Sequence, residues 1–196
     1  EGNLTIQGGG SLTAQGAETS SGSSYGIFVI GSFTQQGGSV TAIGGNVNGN
    51  YTSRGLYVSD GTVTAQDGTL TATGGDTSGS SYGISMLSSS SVTVNDAIVT
   101  ATGGTGNYSY GLYVNSSSSS PSPSVTLSGS GSLAARSGSG TDTAVGIYFE
   151  NPFGSTRSVT VGNGSTLLTN SVIFMDSDFN ENPLAPTGDG SWLIYG

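Results

Sequence analysis

One short phrase returns along the chain at nearly constant spacing, and this repeat restricts the fold more than any other feature. In each copy a glycine precedes a segment of apolar and aromatic residues, and the glycines lie 28 to 35 residues apart, at Gly26, Gly55, Gly83, Gly111 and Gly146. A sixth copy, Val172-Ile173-Phe174-Met175, lacks the glycine. A period of roughly 20 to 50 residues is typical of solenoids and propellers, in which similar units stack on one another.

Two further phrases keep the same period. One runs from Leu4-Thr5-Ile6 to Val159-Thr160-Val161, and the other runs from Leu12-Thr13-Ala14 to Leu167-Leu168-Thr169. Each phrase alternates apolar with polar residues, which indicates a strand with one buried face, and glycine-rich turns separate them. Three strands in about 28 residues make one coil of a parallel β-helix, whereas a propeller blade needs four strands and about 40 residues.

The sequence therefore predicts an all-β fold, a right-handed single-stranded parallel β-helix (solenoid) of about six coils of three short strands. The handedness comes from the crossover rule for parallel strands. We expect the repeats to occupy residues 1–176, with a protruding Ser/Pro-rich loop at 116–124, and residues 177–196 to form a C-terminal cap. Two inward columns should build the core: Ile27, Leu56, Ile84, Leu112 and Ile147, and Val29, Val58, Met86, Val114 and Phe149.

Composition excludes several classes of partner. The 196 residues carry a net charge of −9, with three Lys and Arg in total and no His, so binding to nucleic acid or to anionic lipid has no electrostatic support. No apolar run approaches the roughly 20 residues of a membrane span, so we expect no membrane insertion. The chain has no Cys, which excludes disulfides and thiolate metal sites. We expect a monomer.

The phrases Gly68-Thr69-Leu70-Thr71-Ala72-Thr73-Gly74-Gly75 and Ser109-Tyr110-Gly111-Leu112-Tyr113-Val114 carry a family resemblance. The chain resembles the right-handed β-helix repeats of bacterial surface proteins, a broad group of pectate-lyase-like folds, adhesins and polysaccharide-binding β-helices. The resemblance favours a non-enzymatic, adhesin-like or stalk-like module, extracellular or on the cell surface, with host or plant glycans or surface proteins as partners. A carbohydrate-binding β-helix, possible calcium assistance included, is the alternative, and a polysaccharide lyase or glycoside hydrolase comes third.

Alternation places an aromatic column on the outer face of the third strand. Its members are Phe28, Tyr57, Tyr113 and Tyr148, continued by Phe174, and the repeated glycines should lie beside them as a strip without side chains. Tyrosine offers a large amphipathic surface at low entropic cost, so these rings are candidate carbohydrate-binding residues. The competing interpretation is that the rings stack on each other and support the strands.

A second candidate site consists of carboxylates. The same alignment puts Glu150 and Asp176 on adjacent coils, and Asp176, Asp178 and Asn180 present oxygen atoms at alternate positions. This group predicts a possible Ca²⁺ site, since Ca²⁺ prefers oxygen ligands, although solvated acids would give the same pattern. Two close carboxylates also match a retaining glycosidase. We assign no catalytic residue, because Arg54, Arg136 and Arg157 are the only basic side chains, and no other cofactor is expected.

Overall fold

The computed structural model describes residues 2–88, 91–116, 122–150 and 156–195, which contain strands and turns and no helix. In chain order the strands are β1 (Leu4–Gln7), β2 (Ser11–Gln15), β3 (Ser24–Ile30), β4 (Phe33–Ile43), β5 (Thr52–Ser59), β6 (Val63–Thr73), β7 (Ser80–Leu87), β8 (Ser91–Asn95), β9 (Ala97–Thr102), β10 (Gly106–Asn115), β11 (Ser124–Ser128), β12 (Ser132–Arg136), β13 (Gly140–Glu150), β14 (Ser158–Val161), β15 (Thr166–Thr169), β16 (Val172–Met175), β17 (Glu181–Pro183) and β18 (Ser191–Ile194). Nothing in these ranges is a helix that could cross a membrane.

The strands form a parallel β-solenoid of about six turns, which confirms the predicted fold class. The first sheet contains eleven strands. It includes the strands formed by the two repeated phrases whose last copies are Val159-Thr160-Val161 and Leu167-Leu168-Thr169. The second sheet contains β3, β5, β7, β10, β13, β16 and β17 and receives the glycine-containing phrase. Every pair in the second sheet is parallel except β16 with β17.

Two coils depart from the expected three strands. In the second and third coils the first two phrases join into single long strands, β4 and β6, which each run eleven residues. Register irregularities between Gln35 and Ser39 accommodate the bend that other coils make with a turn. Gln35 is buried at this bend, and its Nε2 donates to the carbonyl of Thr69 at 2.9 Å.

The core lies between the two sheets and consists of columns of apolar side chains, stacked from coil to coil. Ile84 and Leu112 are fully buried, and the ladder pairs Ile27 with Leu56, Leu56 with Ile84, and Leu112 with Ile147. The second predicted column is buried as well, from Val29 to Phe149. The two inward columns of the second sheet are therefore confirmed.

Beyond Met175 the chain stays on the last coil. Strand β17 turns back antiparallel to β16, Thr187 bridges to Thr160, and β18 pairs parallel with β15. Of the predicted Ser/Pro-rich loop at 116–124, residues 117–121 lie outside the described residues. Within it, the described Ser116 is buried and donates its backbone N–H to the Glu150 carbonyl at 3.1 Å.

A column of buried serines joins successive coils where the chain passes from the first sheet to the second. Ser81 Oγ donates to the carbonyl of Gly75 in its own coil at 2.8 Å and accepts the N–H of Gly104 in the next coil at 2.7 Å. Ser24, Ser53 and Ser109 repeat this arrangement. Each hydroxyl thus satisfies two backbone groups at the corner between the two sheets.

The serine column generates a stability prediction. Ser81→Ala leaves the Gly75 carbonyl and the Gly104 N–H without their partner, and we expect the free energy of unfolding to fall by about 1 to 3 kcal/mol. Denaturant unfolding measures the change. Ser78→Ala, at an exposed position in the same coil, is the control. Its free energy of unfolding should stay within about 0.5 kcal/mol of that of the parent. Equal stability of the two variants would show that the corner does not need the hydroxyl.

Candidate functional site: an aromatic face and its tyrosine cleft

The prediction that the repeated glycines lie on the outer face is wrong. In the structure these glycines point into the molecule. A Cβ on Gly55 would lie 2.5 Å from the Thr73 nitrogen and 2.8 Å from the Ala42 carbonyl oxygen, both in the backbone of the first sheet. Gly26, Gly83 and Gly111 meet the first sheet in the same way. The two sheets approach most closely here, and only a residue without a side chain fits between them.

The inward glycine shifts the alternation of side chains by one position. Tyr25 and Phe28 are three residues apart, which strict alternation would place on opposite faces, yet their rings stack with centroids 5.4 Å apart. Tyr110 and Tyr113 lie equally close, at 5.4 Å. The residue before each glycine therefore joins the outer surface as a second column.

We call this surface the aromatic face. Its first column is Tyr25, Arg54, Tyr82, Tyr110 and Val145, and its second column is Phe28, Tyr57, Ser85, Tyr113, Tyr148 and Ile173. Sequence reasoning missed the first column, although the residue before each glycine was visible in the repeat. The signal that could have found it is the aromatic character of three of those five residues.

The N-terminal half of the face is open to solvent and carries a cation of its own. The rings of Phe28 and Tyr57 stack at 5.0 Å, and Phe28 is 51% exposed. The Arg54 guanidinium carbon lies 4.7 Å from the centroid of Tyr57, 5.5 Å from that of Tyr25 and 5.0 Å from that of Tyr82. Its polar contacts are hydroxyls, with Nη1 donating to Thr52 at 2.6 Å and Nε to Ser85 at 3.3 Å.

The C-terminal half is more enclosed. Tyr82, Tyr110 and Tyr148 are buried, Tyr113 is half-buried, and successive ring centroids lie 5.0 to 6.0 Å apart. These tyrosines line a hollow of about 260 Å³ together with Glu150, Met175 and Glu181. We call this hollow the tyrosine cleft.

Two carboxylates stand at one side of the tyrosine cleft. Across the strands Glu150 pairs with Met175, and Met175 pairs with Glu181. The backbones of the two glutamates are therefore two strand spacings apart across the sheet, about 10 Å. Asn115 Nδ2 donates to Glu150 Oε2 at 2.8 Å, and Glu181 is close enough to Tyr148 to help raise the pKa of its hydroxyl. The cleft thus combines aromatic walls with acidic groups.

The titration behaviour of the cleft follows from this combination. Burial raises the pKa of the Glu150 carboxyl. Burial also raises the pKa of Tyr110 and Tyr148, and nearby negative charge adds to this, from both glutamates at Tyr110 and from Glu181 at Tyr148. At neutral pH Tyr110 and Tyr148 therefore stay neutral, and burial disfavours the ionised form of Glu150.

The predicted sugar-binding residues all lie on the aromatic face, with different accessibility. Phe28 is exposed, Tyr57 and Tyr113 are half-buried, and Tyr148 is only 3% exposed. The predicted continuation at Phe174 is wrong, because Phe174 pairs with the inward Phe149 and Ile173 takes the outer position. The open rings and the enclosed rings therefore form two different surfaces.

The predicted pairing of Glu150 with Asp176 is also wrong by one residue. Glu150 lies beside Met175, and Asp176 Oδ1 instead accepts the backbone N–H groups of Asp178 and Asn180, both at 2.9 Å. The hydrogen bond from the Asn180 backbone is the main cause that lowers the pKa of Asp176. Among the described residues no three His, Cys, Asp or Glu side chains come together as metal ligands would.

Calcium binding by Asp176, Asp178 and Asn180 stays a prediction of the sequence. A ligand that binds only the folded chain raises its melting temperature, so millimolar Ca²⁺ should give a higher value than chelator. Differential scanning fluorimetry measures the shift, with Mg²⁺ as the control cation. An unchanged melting temperature would remove the calcium hypothesis.

The raised pKa of Glu150 generates a pH prediction. An acid whose folded pKa lies above its unfolded value binds more protons in the folded state, so stability falls as pH rises through that window. Glu150→Gln keeps the acceptor for Asn115 and removes the charge, and we expect a higher melting temperature than the parent at pH 7. The difference should shrink below the unfolded pKa of the glutamate. Glu18→Gln, at an exposed position, is the control, and a lower melting temperature for Glu150→Gln at pH 7 would contradict the account.

The stacking of Arg54 generates a third prediction. Arg54→Met keeps an unbranched apolar chain but removes the charge over three rings, and we expect a loss of about 1 to 2 kcal/mol in the free energy of unfolding. Arg136→Met is the matched control, because Arg136 is exposed and contacts one ring, with its guanidinium carbon 5.8 Å from the centroid of Tyr195. Equal losses in the two variants would mean that the aromatic setting of Arg54 adds nothing.

Comparison with known proteins gives no relative from which a role could be transferred. No protein-family model matches the sequence, and neither a curated protein nor a solved structure is significantly similar to it. The function is therefore argued from the aromatic face itself.

Proposed function

We propose that the chain is a non-enzymatic extracellular module of a bacterial surface or secreted protein, which presents the aromatic face as a recognition surface. The tyrosine cleft is the observation that carries the proposal. It lies on the outer side of the second sheet, where its tyrosines form an aromatic cluster separate from the core between the sheets and line an open hollow, and a concave site lined by aromatic side chains with a few polar groups is typical of binding sites.

The shape of the molecule supports a presenting role. Six turns at a strand spacing of about 4.8 Å make a rod about 30 Å long, stiffened by ladders along its whole length. A rod of this kind holds a surface at a fixed distance from its attachment. The composition, with 35 Gly, few charges and no Lys, supports an exported bacterial protein.

A chemical argument favours binding over catalysis. The β-helix lyases of the resembling group use a basic residue to abstract a proton, and the cleft is lined by tyrosines, hydroxyls, a thioether and two carboxylates. The two glutamates lie on β13 and β17, with β16 between them. Their backbones are farther apart across the sheet than the roughly 5 Å that separates the carboxyl groups of a retaining pair. A lyase or glycoside hydrolase therefore ranks below a binding module.

Carbohydrate binding is the second candidate, and the open half of the face favours it. Phe28 and Tyr57 form a stacked pair with one exposed ring, which is the kind of platform on which a sugar ring stacks. Host or plant glycans would be the partners. This platform is separate from the tyrosine cleft, so the two surfaces can be tested separately.

The proposal predicts binding without turnover. On arrays of glycans and of extracellular proteins the chain should bind at least one ligand. Tyr113→Ala should weaken a ligand of the tyrosine cleft about tenfold or more, and Tyr57→Ala should do the same for a ligand of the Phe28–Tyr57 platform. Thr41→Ala combined with Thr71→Ala on the outer face of the first sheet is the matched control. Reducing-sugar and unsaturated-uronate assays on acidic polysaccharides should stay blank. Product release that Glu150→Gln abolishes would make the protein an enzyme and overturn the proposal.

A further inference from the structure

The tyrosine cleft has aromatic walls and acidic groups but its lining contains no cation. The three arginines of the chain are engaged elsewhere: Arg54 on the far side of Tyr82, Arg136 at Tyr195, and Arg157 over the ring of Phe174 with a hydrogen bond to the Met175 carbonyl. The chain has no Lys and no His. Among the described residues, no Lys, Arg or His lines the hollow, so neither Glu150 nor Glu181 meets a cationic side chain in that lining.

The same face shows how a cation is held on these rings. In the N-terminal half the Arg54 guanidinium lies over Tyr25, Tyr57 and Tyr82 within 4.7 to 5.5 Å of their centroids. Tyr82 belongs to both halves, because its other neighbours are Tyr110 at 5.3 Å and Tyr113 at 5.0 Å. One tyrosine array thus carries a built-in guanidinium at one end and two carboxylates at the other.

We propose that the tyrosine cleft binds a guanidinium group, as an arginine side chain or a small guanidine compound presents it. The inference rests on the proposed function and names the ligand of its recognition surface. The flat guanidinium would lie over the ring face of Tyr113, the half-buried tyrosine of the cleft, as Arg54 lies over the ring of Tyr57, and its N–H groups would donate to Glu150 or Glu181.

The chemistry of the cleft favours this ligand over two others. A hard cation such as Ca²⁺ requires six to eight oxygen ligands, whereas much of this lining is ring carbon and the thioether of Met175. A guanidinium is weakly hydrated and loses less on leaving water. An oligosaccharide needs more room, since the hollow of about 260 Å³ is smaller than the roughly 300 to 1,000 Å³ of sites for larger ligands.

The electrostatics agree with the geometry. Burial raises the pKa of Glu150, because desolvation disfavours its ionised form. A bound cation would favour the ionised form and lower the pKa again. Binding should therefore weaken as the pH falls and Glu150 becomes protonated, and it should weaken with added salt.

The test uses a charged ligand and its neutral isostere. Nα-acetyl-L-arginine amide should bind with a dissociation constant on the order of 1 mM, measured by calorimetry and by saturation-transfer NMR, while Nα-acetyl-L-citrulline amide should bind about tenfold or more weakly. Agmatine, a small guanidine compound, distinguishes the sources. Tighter binding of the capped arginine assigns the cleft to a protein side chain, and tighter binding of agmatine assigns it to a small molecule.

Variants locate the binding to the cleft. Glu150→Gln and Glu181→Gln should each weaken the arginine probe about fivefold to tenfold, with the exposed first-sheet variant Asp67→Asn as the matched charge control. Tyr113→Leu should weaken it similarly, and Tyr113→Phe should restore it, because the ring and not the hydroxyl holds the cation. Melting curves confirm that each variant is folded.

The other outcomes refute either the guanidinium site alone or the proposed function as well. Equal binding of arginine and citrulline probes, or full competition by Ca²⁺ at matched ionic strength, would refute a guanidinium site and leave the recognition surface standing. The same holds if array ligands bind in a Tyr113-dependent way while arginine does not. If neither the arrays nor the guanidine probes give any binding, the proposed function fails as well.

Discussion

The structure depends on parallel stacking in register, in which each residue lies about 4.8 Å from its equivalents in the coils above and below. A side chain in such a stack packs mainly against copies of itself. The inner columns of Leu56, Ile84 and Leu112 satisfy this condition with similar volumes, and the buried serines satisfy it with one repeated hydrogen-bond pattern. On the outside the same condition brings tyrosines of neighbouring coils into ring contact. The aromatic face is thus a direct result of the repeat.

The sequence predicts the fold and the core well because two independent signals agree there. The repeat period gives the coil, and alternation within each phrase gives the buried face, so the burial of Ile84 and Leu112 follows from both. The sixth copy offers only one signal. Val172, Ile173, Phe174 and Met175 are all apolar, so either phase buries two of them, and a slip of one residue exchanges the faces. In the structure Phe174 pairs in register with the inward Phe149, and such a pairing between coils is not visible in a local pattern.

The candidate site was only partly predictable, and the reason is the inward glycine. A glycine in a strand pattern does not indicate which face it occupies, because it has no side chain to be buried or exposed. The close approach of the first sheet decides that Gly55 and its equivalents face inward, and it moves Tyr25, Tyr82 and Tyr110 to the outer surface. Glu181 was missed for another reason. It reaches the cleft through the reversed strand β17, which is not part of the repeat.

The two ends of the aromatic face show one array with opposite charge arrangements. At Arg54 the chain supplies the cation, and the result is a closed local structure whose polar contacts are all internal. At Glu150 the chain supplies an acidic group whose pKa is raised by burial, and the side-chain amide of Asn115 donates to it. Departures from local consistency of this kind are concentrated at functional sites, because a group that is unfavourable in the free protein is retained when a partner makes it favourable. The asymmetry between the two halves, more than the number of tyrosines, supports the proposal of a recognition surface over that of a purely structural ladder of rings.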